Sequence, residues 1–511
     1  MFELGRTFTA ACARSPEALA IVDGELRLTY ASWLQLIGRL VGGLETLGLE
    51  PGQRVVGVLQ NRWEAATLHW ACQVAGLVIT PVNWRATAEE LDYVLEDSGA
   101  GALFYEGISQ PAVARAPTAS RVLRVRVGEA SVGEPRDTIG FDGLLTSAPA
   151  PLTPRATPES TSVMLYTSGT TGRGKGVPRS HRAERAAAIA HVAQNQYAFG
   201  ESTLGVMPLY HTMGVRSLLA MACIDGCFVC LPRFDTESAL ALIASERIST
   251  LYLVPTLYHD LLQSPSFEGA DVSSVRKLGF AGASMTDGLL KAVEQSFSPE
   301  LFVNHYGSSE IYTFSVEQRA ASKPGSAGRA GLNQEIRVIA LGETCADAVV
   351  APRIEGQIIA RLDGDEAFEG YWQRPDADAK SLHDGWYHTG DTGYFDEDGD
   401  LFVTGRVDDM IISGGENISP VEIESVLSLH PNVGEAAVVG LPDERWGQRV
   451  VAFVKRIDAV EEEVLDGHCR NSALAGFKRP REYIFVAEIP KSPVGKILRR
   501  LLISGDYAPE K

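Results

Sequence analysis

The sequence predicts an α/β protein: a large N-terminal domain of several subdomains built on parallel sheet, followed by a small α+β domain. Three observations predict it. At 511 residues the chain exceeds what one hydrophobic core usually supports, so at least two domains are expected. Strand-like and helix-like runs alternate through Arg54 to Leu59, Trp63 to Gly76 and Leu77 to Val82, the pattern of parallel strands joined by crossover helices. Beyond Ser419 a separate core pattern begins.

Taken in order, a helical pattern (Thr7 to Ser15), a strand (Leu19 to Val22) and a helix (Tyr30 to Leu47) lead into that alternation. Arg85 follows Pro81-Val82-Asn83 at the end of a strand. The Ala/Pro/Thr-rich stretch Ala148 to Ser160 reads as a linker into the apolar run Val163-Met164-Leu165. Leu204 to Gly214 reads as a strand ending in a polar turn that carries His211, and Met221 to Leu231 as a strand. Further strand-to-loop units cover Leu278 to Ser284 and Leu301 to Glu310. The turn Asp396 to Asp400 lacks the closing Glu of a calcium loop and reads as a solvated hairpin turn. In the last domain the pattern gives helices from Ser419 to Leu429 and Glu461 to Ser472, with strands around Glu435 to Val439 and Arg449 to Val454.

A net charge of −19 and a pI near 5.1 argue against nucleic acid or an anionic membrane as partner, so an anionic cofactor must be held by local basic groups. The N-terminus lacks a basic region followed by an apolar stretch, and no apolar run reaches the ~20 residues of a membrane span, which predicts a soluble, cytoplasmic protein. Cys223, Cys227 and Cys230 invite a metal reading, but their surroundings are apolar and lack histidine. They read as buried thiols, and no disulfide is expected.

The chemistry concentrates in Tyr166-Thr-Ser-Gly-Thr-Thr-Gly-Arg-Gly-Lys-Gly176. Its glycines let backbone N–H groups approach an anion, its hydroxyls add donors, and Lys175 adds a mobile positive charge, which suits a polyphosphate such as ATP. A Walker loop needs Ser or Thr after the lysine to hold Mg²⁺, and here Gly176 stands there.

The string YTSGTTGRGKG instead resembles the phosphate loop of the acyl-adenylate-forming enzymes, a family with Pro where Gly174 stands. The resemblance extends from Tyr30 to Arg500. MPLYH is similar to the family's acyl-pocket motif, YGSSE to its YG-x-[ST]-E motif, and WYHTGD and GRVDDMIISGGENISPVEIE to its long motifs. It implies ATP or AMP contacts from Thr167, Ser168, Gly169, Thr170, Thr171, Gly172, Lys175, Gly282, Ala283, Tyr306 (adenine), Ser309 (phosphate), Asp391 (ribose) and Arg406. It also implies Glu310 on Mg²⁺, His211 beside the carboxylate, Lys496 as the adenylation lysine, and Asp408 as the hinge of a mobile domain. The domains would then be 1–407 and 408–511.

FAGASM, RWGQ and FKRPREY look most like aryl-CoA ligases of the 4-chlorobenzoate type. The reaction implied converts carboxylate and ATP to acyl-AMP and pyrophosphate, after which the CoA thiol forms the thioester and releases AMP. For CoA the resemblance offers Arg85, Gly414, Gly415, Trp446, Arg479 and Arg481. For the acyl pocket it offers Ala190, His211, Met213, Tyr252, Ala281, His305, Gly307, Tyr312 and Thr313. Polar handles on His305, Tyr252 and Tyr312 favour an acid with its own oxygen or nitrogen, because a buried polar group without a partner costs roughly 1–3 kcal/mol. A stand-alone enzyme loading a carrier protein, or a fatty acyl-CoA synthetase, are the alternatives. The partners expected are small molecules, with neither nucleic acid nor membrane, and a homodimer is compatible with these readings.

Overall fold

The computed structural model describes residues 3–130, 137–167, 174–491 and 497–510, apart from the side chains of Asp408 and Asn417. Ser168, Gly169, Thr170, Thr171, Gly172 and Lys496 therefore lie outside the described residues, as does the side chain of Asp408.

Two large sheets flank a layer of helices. The first has seven strands in the spatial order Ile139–Gly140, Leu123–Val127, Ala100–Glu106, Arg54–Val58, Val78–Pro81, Thr161–Tyr166 and Gly176–Ser180. All neighbours are parallel except the last pair. The second sheet has a parallel run, Leu19–Asp23, Cys227–Cys230, Ser202–Gly205, Thr250–Leu253, Lys277–Phe280 and Leu301–Tyr306. It continues into antiparallel strands that include Trp386–Phe395 and Leu401–Arg406.

The helices Tyr30–Thr46, Trp63–Ala75 and Thr212–Cys223 belong to one apolar cluster that also takes Val55 and Phe104 from the first sheet and Ile21 and Phe228 from the second. Burial on every side explains the pattern of Trp63–Ala75, whose residues from Glu64 to Ala75 are all buried. Gly76 stops that helix in the left-handed region at φ 74°.

The stretch Ala148 to Ser160 is more than a linker. Ala150 N–H donates to Gly38 O and Arg155 N–H to Val74 O, at 3.0 and 3.2 Å. These bonds strap the stretch across the helices Tyr30–Thr46 and Trp63–Ala75. The expected strand Met221 to Leu231 is also corrected. Met221 to Cys223 end the helix Thr212–Cys223, and Cys227–Cys230 is the strand. Cys227 and Cys230 lie on opposite faces of it, in different core clusters, so they cannot converge on one ion. Burial pushes the Cys227 thiol up to about 12.

From Ile411 a third sheet begins, centred on the antiparallel pair Val433–Asp443 and Gly447–Arg456. Val438, Val450, Ala452 and Val454 pack under the helices Pro420–Ser428 and Glu462–Arg470, while Ala437, Val439, Val451 and Phe453 pack with Leu502 on the other face. The two-residue alternation thus gives the small domain two covered faces and its own core. The short turn Val407–Asp409 joins it to the strand Leu401–Arg406. Among the described residues no helix is long and apolar enough to cross a membrane.

Candidate active site

The motifs gather where the parallel strands of the second sheet end, the position at which open α/β sheets place ligands. Register explains the gathering. Phe280 pairs with Asn304, so the loop from Ala281 to Ala283 leaves the sheet beside Tyr306 and Gly307. Gly282 has φ 84°, and a Cβ there would meet Val254 at 3.3 Å and Met213 at 3.8 Å, so the loop lies beside the first turn of the helix Thr212–Cys223.

The glycine-rich loop connects an antiparallel hairpin, Thr161–Tyr166 to Gly176–Ser180, and does not run into a helix. This geometry separates it from a Walker loop. Thr167 N–H donates to Lys175 O at 3.0 Å, closing the loop's base. A Cβ on Gly174 would lie 2.5 Å from Thr167 O, so this backbone has no room for the family's proline at that position.

Lys175 stands with its ammonium 3.9 Å from the centre of the Tyr371 ring, and the Tyr371 hydroxyl donates to Glu310 Oε1 at 2.6 Å. Loss of solvent pulls the Lys175 ammonium below its ordinary range, and the Glu310 carboxylate opposes that shift. Behind them lies Arg179, wholly buried. It pairs with Glu184 at 2.6 Å, donates to the carbonyls of Glu310 and Glu366 at 2.8 and 2.7 Å, and stacks on Tyr312 at 3.9 Å. One guanidinium thereby ties the strand after the glycine-rich loop to the Glu310 loop.

Tyr306, Asp391 and Arg406 converge. The Tyr306 hydroxyl donates to Asp391 Oδ2 at 2.5 Å and Arg406 donates to Asp391 Oδ1 at 2.8 Å. The hairpin register places Asp391 directly opposite Arg406. Burial and the Asp391 charge hold the Tyr306 hydroxyl well above its usual range, so it remains a donor. Ser309 is half-buried one residue before Glu310, and Ser308 Oγ accepts from the N–H groups of Glu310 and Ile311.

His211 caps the helix Thr212–Cys223, with Nδ1 accepting from Met213 N–H at 3.4 Å. A neutral imidazole so placed carries its proton on Nε2. Deeper, Tyr252, His305 and His191 pack ring to ring at 4.7–5.4 Å. Asn195 bonds both imidazoles, and Arg216 donates to Tyr252 Oη at 3.2 Å and Thr313 Oγ1 at 3.0 Å. Gly307 is sterically required, since a Cβ there would lie 2.1 Å from Tyr312 O. Ala190, Met213 and Ala281 are buried.

In the small domain Gly414 and Gly415 adopt φ 61° and 85°, and Gly414 N–H donates to Trp446 O at 2.8 Å. The exposed Trp446 ring covers Gly414 and is itself covered by Arg445. Arg479 pairs with Asp466 at 3.2 Å, while Arg481 is exposed. Arg85 belongs to the large domain, stacked on Trp84 at 3.6 Å and beside Tyr210 and Arg233. The acidic turn is filled by Lys323, whose ammonium lies 2.6 Å from Asp396 and 3.1 Å from Asp398, as a structural hairpin turn requires.

Sequence reasoning missed Arg179, Tyr371, His191, Asn195 and Arg216. For Arg216 a signal existed. Continuing a helix from His211 instead of ending the segment at Gly214 places Arg216 on the same face as Met213.

The chain matches the family model described as AMP-binding enzyme over residues 8–372 and that for the AMP-binding enzyme C-terminal domain over residues 422–496. It is 33% identical to a long-chain fatty acid–CoA ligase from Mycobacterium tuberculosis, covering 96% of this chain and 95% of that one. It is 32% identical to a 4-chlorobenzoate–CoA ligase from an Arthrobacter species, covering 96% and 92%. The ATP-bound crystal structure of MatB from Rhodopseudomonas palustris superposes with a TM-score of 0.86 at 28% identity, over 98% of each chain. The protein therefore belongs to the AMP-binding, acyl-adenylate-forming enzymes, as an AMP-forming acid–thiol ligase.

Proposed function

We propose that this ligase activates an aromatic or heteroaromatic carboxylic acid bearing a polar substituent, and transfers it to coenzyme A. The two relatives, named for a fatty acid and for a chlorobenzoate, are equally similar to this chain, so the acid is read from the pocket. The observation that carries the reading is the buried polar wall formed by Tyr252, His305, Thr313 and Arg216. Arg216 Nε and His305 Nδ1 in that wall have no partner, and an alkyl chain would leave them so, at roughly 1–3 kcal/mol each.

In the adenylation step a carboxylate oxygen attacks the α-phosphorus of ATP and pyrophosphate leaves. Tyr306 stacks on adenine beside the Gly282 and Ala283 backbone, Asp391 takes the ribose hydroxyls, and Arg406, Ser309, Thr167 and Lys175 meet phosphate oxygens. Lys496 neutralises charge as the bond forms. His211 presents Nε2–H to the acid. The residues fit Mg²⁺, which takes oxygen ligands, because Tyr371 anchors the Glu310 carboxylate beside Lys175. When bound, that ion offsets polyphosphate charge. In the second step the CoA thiol attacks the acyl carbon and AMP leaves. Turning the small domain about Asp408 withdraws Lys496 and brings Gly414 and Gly415 to the pantetheine arm, with Arg85, Trp446, Arg479 and Arg481 toward its nucleotide.

Pyrophosphate release across aromatic, heteroaromatic and aliphatic acids, with and without CoA, tests the reading. The highest kcat/KM is expected for a polar aromatic acid, with thioester formed when CoA is present. A maximum on octanoate, or transfer to a carrier protein in place of CoA, would refute it. Glu310→Gln is expected to lower adenylation about 10²–10³-fold at limiting Mg²⁺, partly restored by excess Mg²⁺, with the KM for CoA unchanged. Unaltered activity at limiting Mg²⁺ would remove Glu310 from the metal site.

A further inference from the structure

Arg216 is 2% exposed and lies three residues past Met213 on the helix Thr212–Cys223, about 4.5 Å deeper along its axis. A guanidinium stays charged in proteins and carries five N–H donors. The partners of this one are two neutral hydroxyls, Tyr252 Oη and Thr313 Oγ1. Its Nε has no hydrogen-bond partner.

Of the nearby carboxylates, Glu184 is taken by Arg179 at 2.6 Å. Glu366 accepts from Asn333 at 3.1 Å and keeps one buried oxygen unpartnered; burial raises its pKa and the Arg216 charge opposes that shift, so it offsets part of the Arg216 charge without touching it. No ion pair to Arg216 is found among the described residues. A buried guanidinium whose hydrogen bonds go to hydroxyls alone is costly to keep in a core.

The groups around it extend the same provision. His191 Nε2 and His305 Nδ1 are buried without partners, while the opposite nitrogen of each ring is engaged by Asn195. Burial and the Arg216 charge hold both imidazoles well below their usual range, so they are neutral rings able to donate one N–H each. Tyr252, His305 and Thr313 belong to the acyl pocket proposed above, so this wall faces the far end of the acid.

We propose that Arg216 receives a second carboxylate carried by the acid being activated, making a compact dicarboxylic acid the substrate class. This rests on the acyl-pocket reading. His211 and the nucleotide engage the reacting carboxylate, while Arg216, with Tyr252 and the two imidazoles, takes the other. A monoacid of the same skeleton leaves the guanidinium without a carboxylate in hydrogen-bond contact and its Nε unpartnered, and the site therefore discriminates against it.

Matched pairs test the proposal by pyrophosphate release: isophthalate against benzoate, homophthalate against phenylacetate, and adipate against hexanoate. In at least one pair the wild-type kcat/KM is expected to favour the diacid by about 100-fold or more, the discrimination typical of a lost partner for a buried polar group. Arg216→Gln is expected to cut the diacid by about 100-fold, mainly through KM, with the matched monoacid within a few-fold and the KM for ATP unchanged. Arg216→Lys should recover part of the loss, because it keeps the charge without the fork.

A merely structural Arg216 would give a different pattern. Arg216→Gln would then lower both members of a pair equally and Arg216→Lys would rescue neither, which overturns the proposal. Wild-type enzyme that favours the monoacid, or is indifferent, in every pair overturns it without any variant. If adipate is the best acid of all, the aromatic reading fails while Arg216 keeps its role. If an aromatic monoacid is best and Arg216→Gln leaves it unchanged, the aromatic reading stands and the role of Arg216 falls.

Discussion

Lys496→Ala is expected to slow acyl-adenylate formation by at least ~10²–10³-fold and to leave thioester formation from supplied acyl-AMP close to wild type. The proposed ammonium acts while negative charge spreads over the α-phosphate and the departing pyrophosphate, and a single preorganised cation in a dry site has a contribution of that size. The thiol step neither breaks a phosphoanhydride nor builds that charge. Asp408→Pro should give the reverse pattern. The short turn Val407–Asp409 is the connection between the two domains, and proline fixes φ near roughly −65°, which resists the rotation. Adenylation would persist and the CoA step would fall. Single-turnover measurement of each half-reaction in both variants decides the matter. Equal loss of both steps in Lys496→Ala, or no loss in Asp408→Pro, would exclude a two-conformation mechanism.

The residues legible in the sequence are those whose chemistry is written contiguously. A glycine-rich loop, YGSSE and WYHTGD each carry several functional groups within a few positions, so local pattern suffices, and the structure brings Tyr306, Asp391 and Arg406 together. The alternation from Arg54 to Val82 was equally readable, because both faces of a parallel sheet are buried and its strands appear as apolar runs. What could not be read is pairing at a distance. Arg179 meets the Glu310 and Glu366 carbonyls across separations of 131 and 187 residues, and Arg216 meets Thr313 across 97. Nothing local distinguishes Arg179 from a surface arginine, and for Arg216 only the helical spacing from Met213 does. The turn between the helix Thr212–Cys223 and the strand Cys227–Cys230 was missed although Asp225-Gly226 marks it: this pair interrupts the apolar run, and Asp225 takes the left-handed region at φ 54°.

Removing one partner of the Arg179–Glu184 pair should have the largest effect on stability. Both side chains have no solvent exposure, and their contact is 2.6 Å. Breaking a buried pair from one side typically costs about 3–5 kcal/mol, because the remaining charge has neither water nor counterion. Glu184→Leu leaves a guanidinium that cannot give up its proton in any ordinary buffer, and it should stand at the upper end of that range. Arg179→Met removes the charge but orphans two carbonyls, those of Glu310 and Glu366, at about 1–3 kcal/mol each. It should also carry a catalytic signature, since the Glu310 loop loses the bond that fixes its backbone. A displacement of about 1 Å at a positioned group can cost on the order of 10²-fold in rate. Adenylation should therefore fall in Arg179→Met while transfer from supplied acyl-AMP is largely retained. The double variant Arg179→Met/Glu184→Leu, with neither charge left, should regain part of the lost stability. Chemical denaturation of the three variants, read beside the half-reaction rates, checks both parts. Single variants that unfold within about 1 kcal/mol of wild type would mean that the pair is not the strut between the strand Gly176–Ser180 and Glu310.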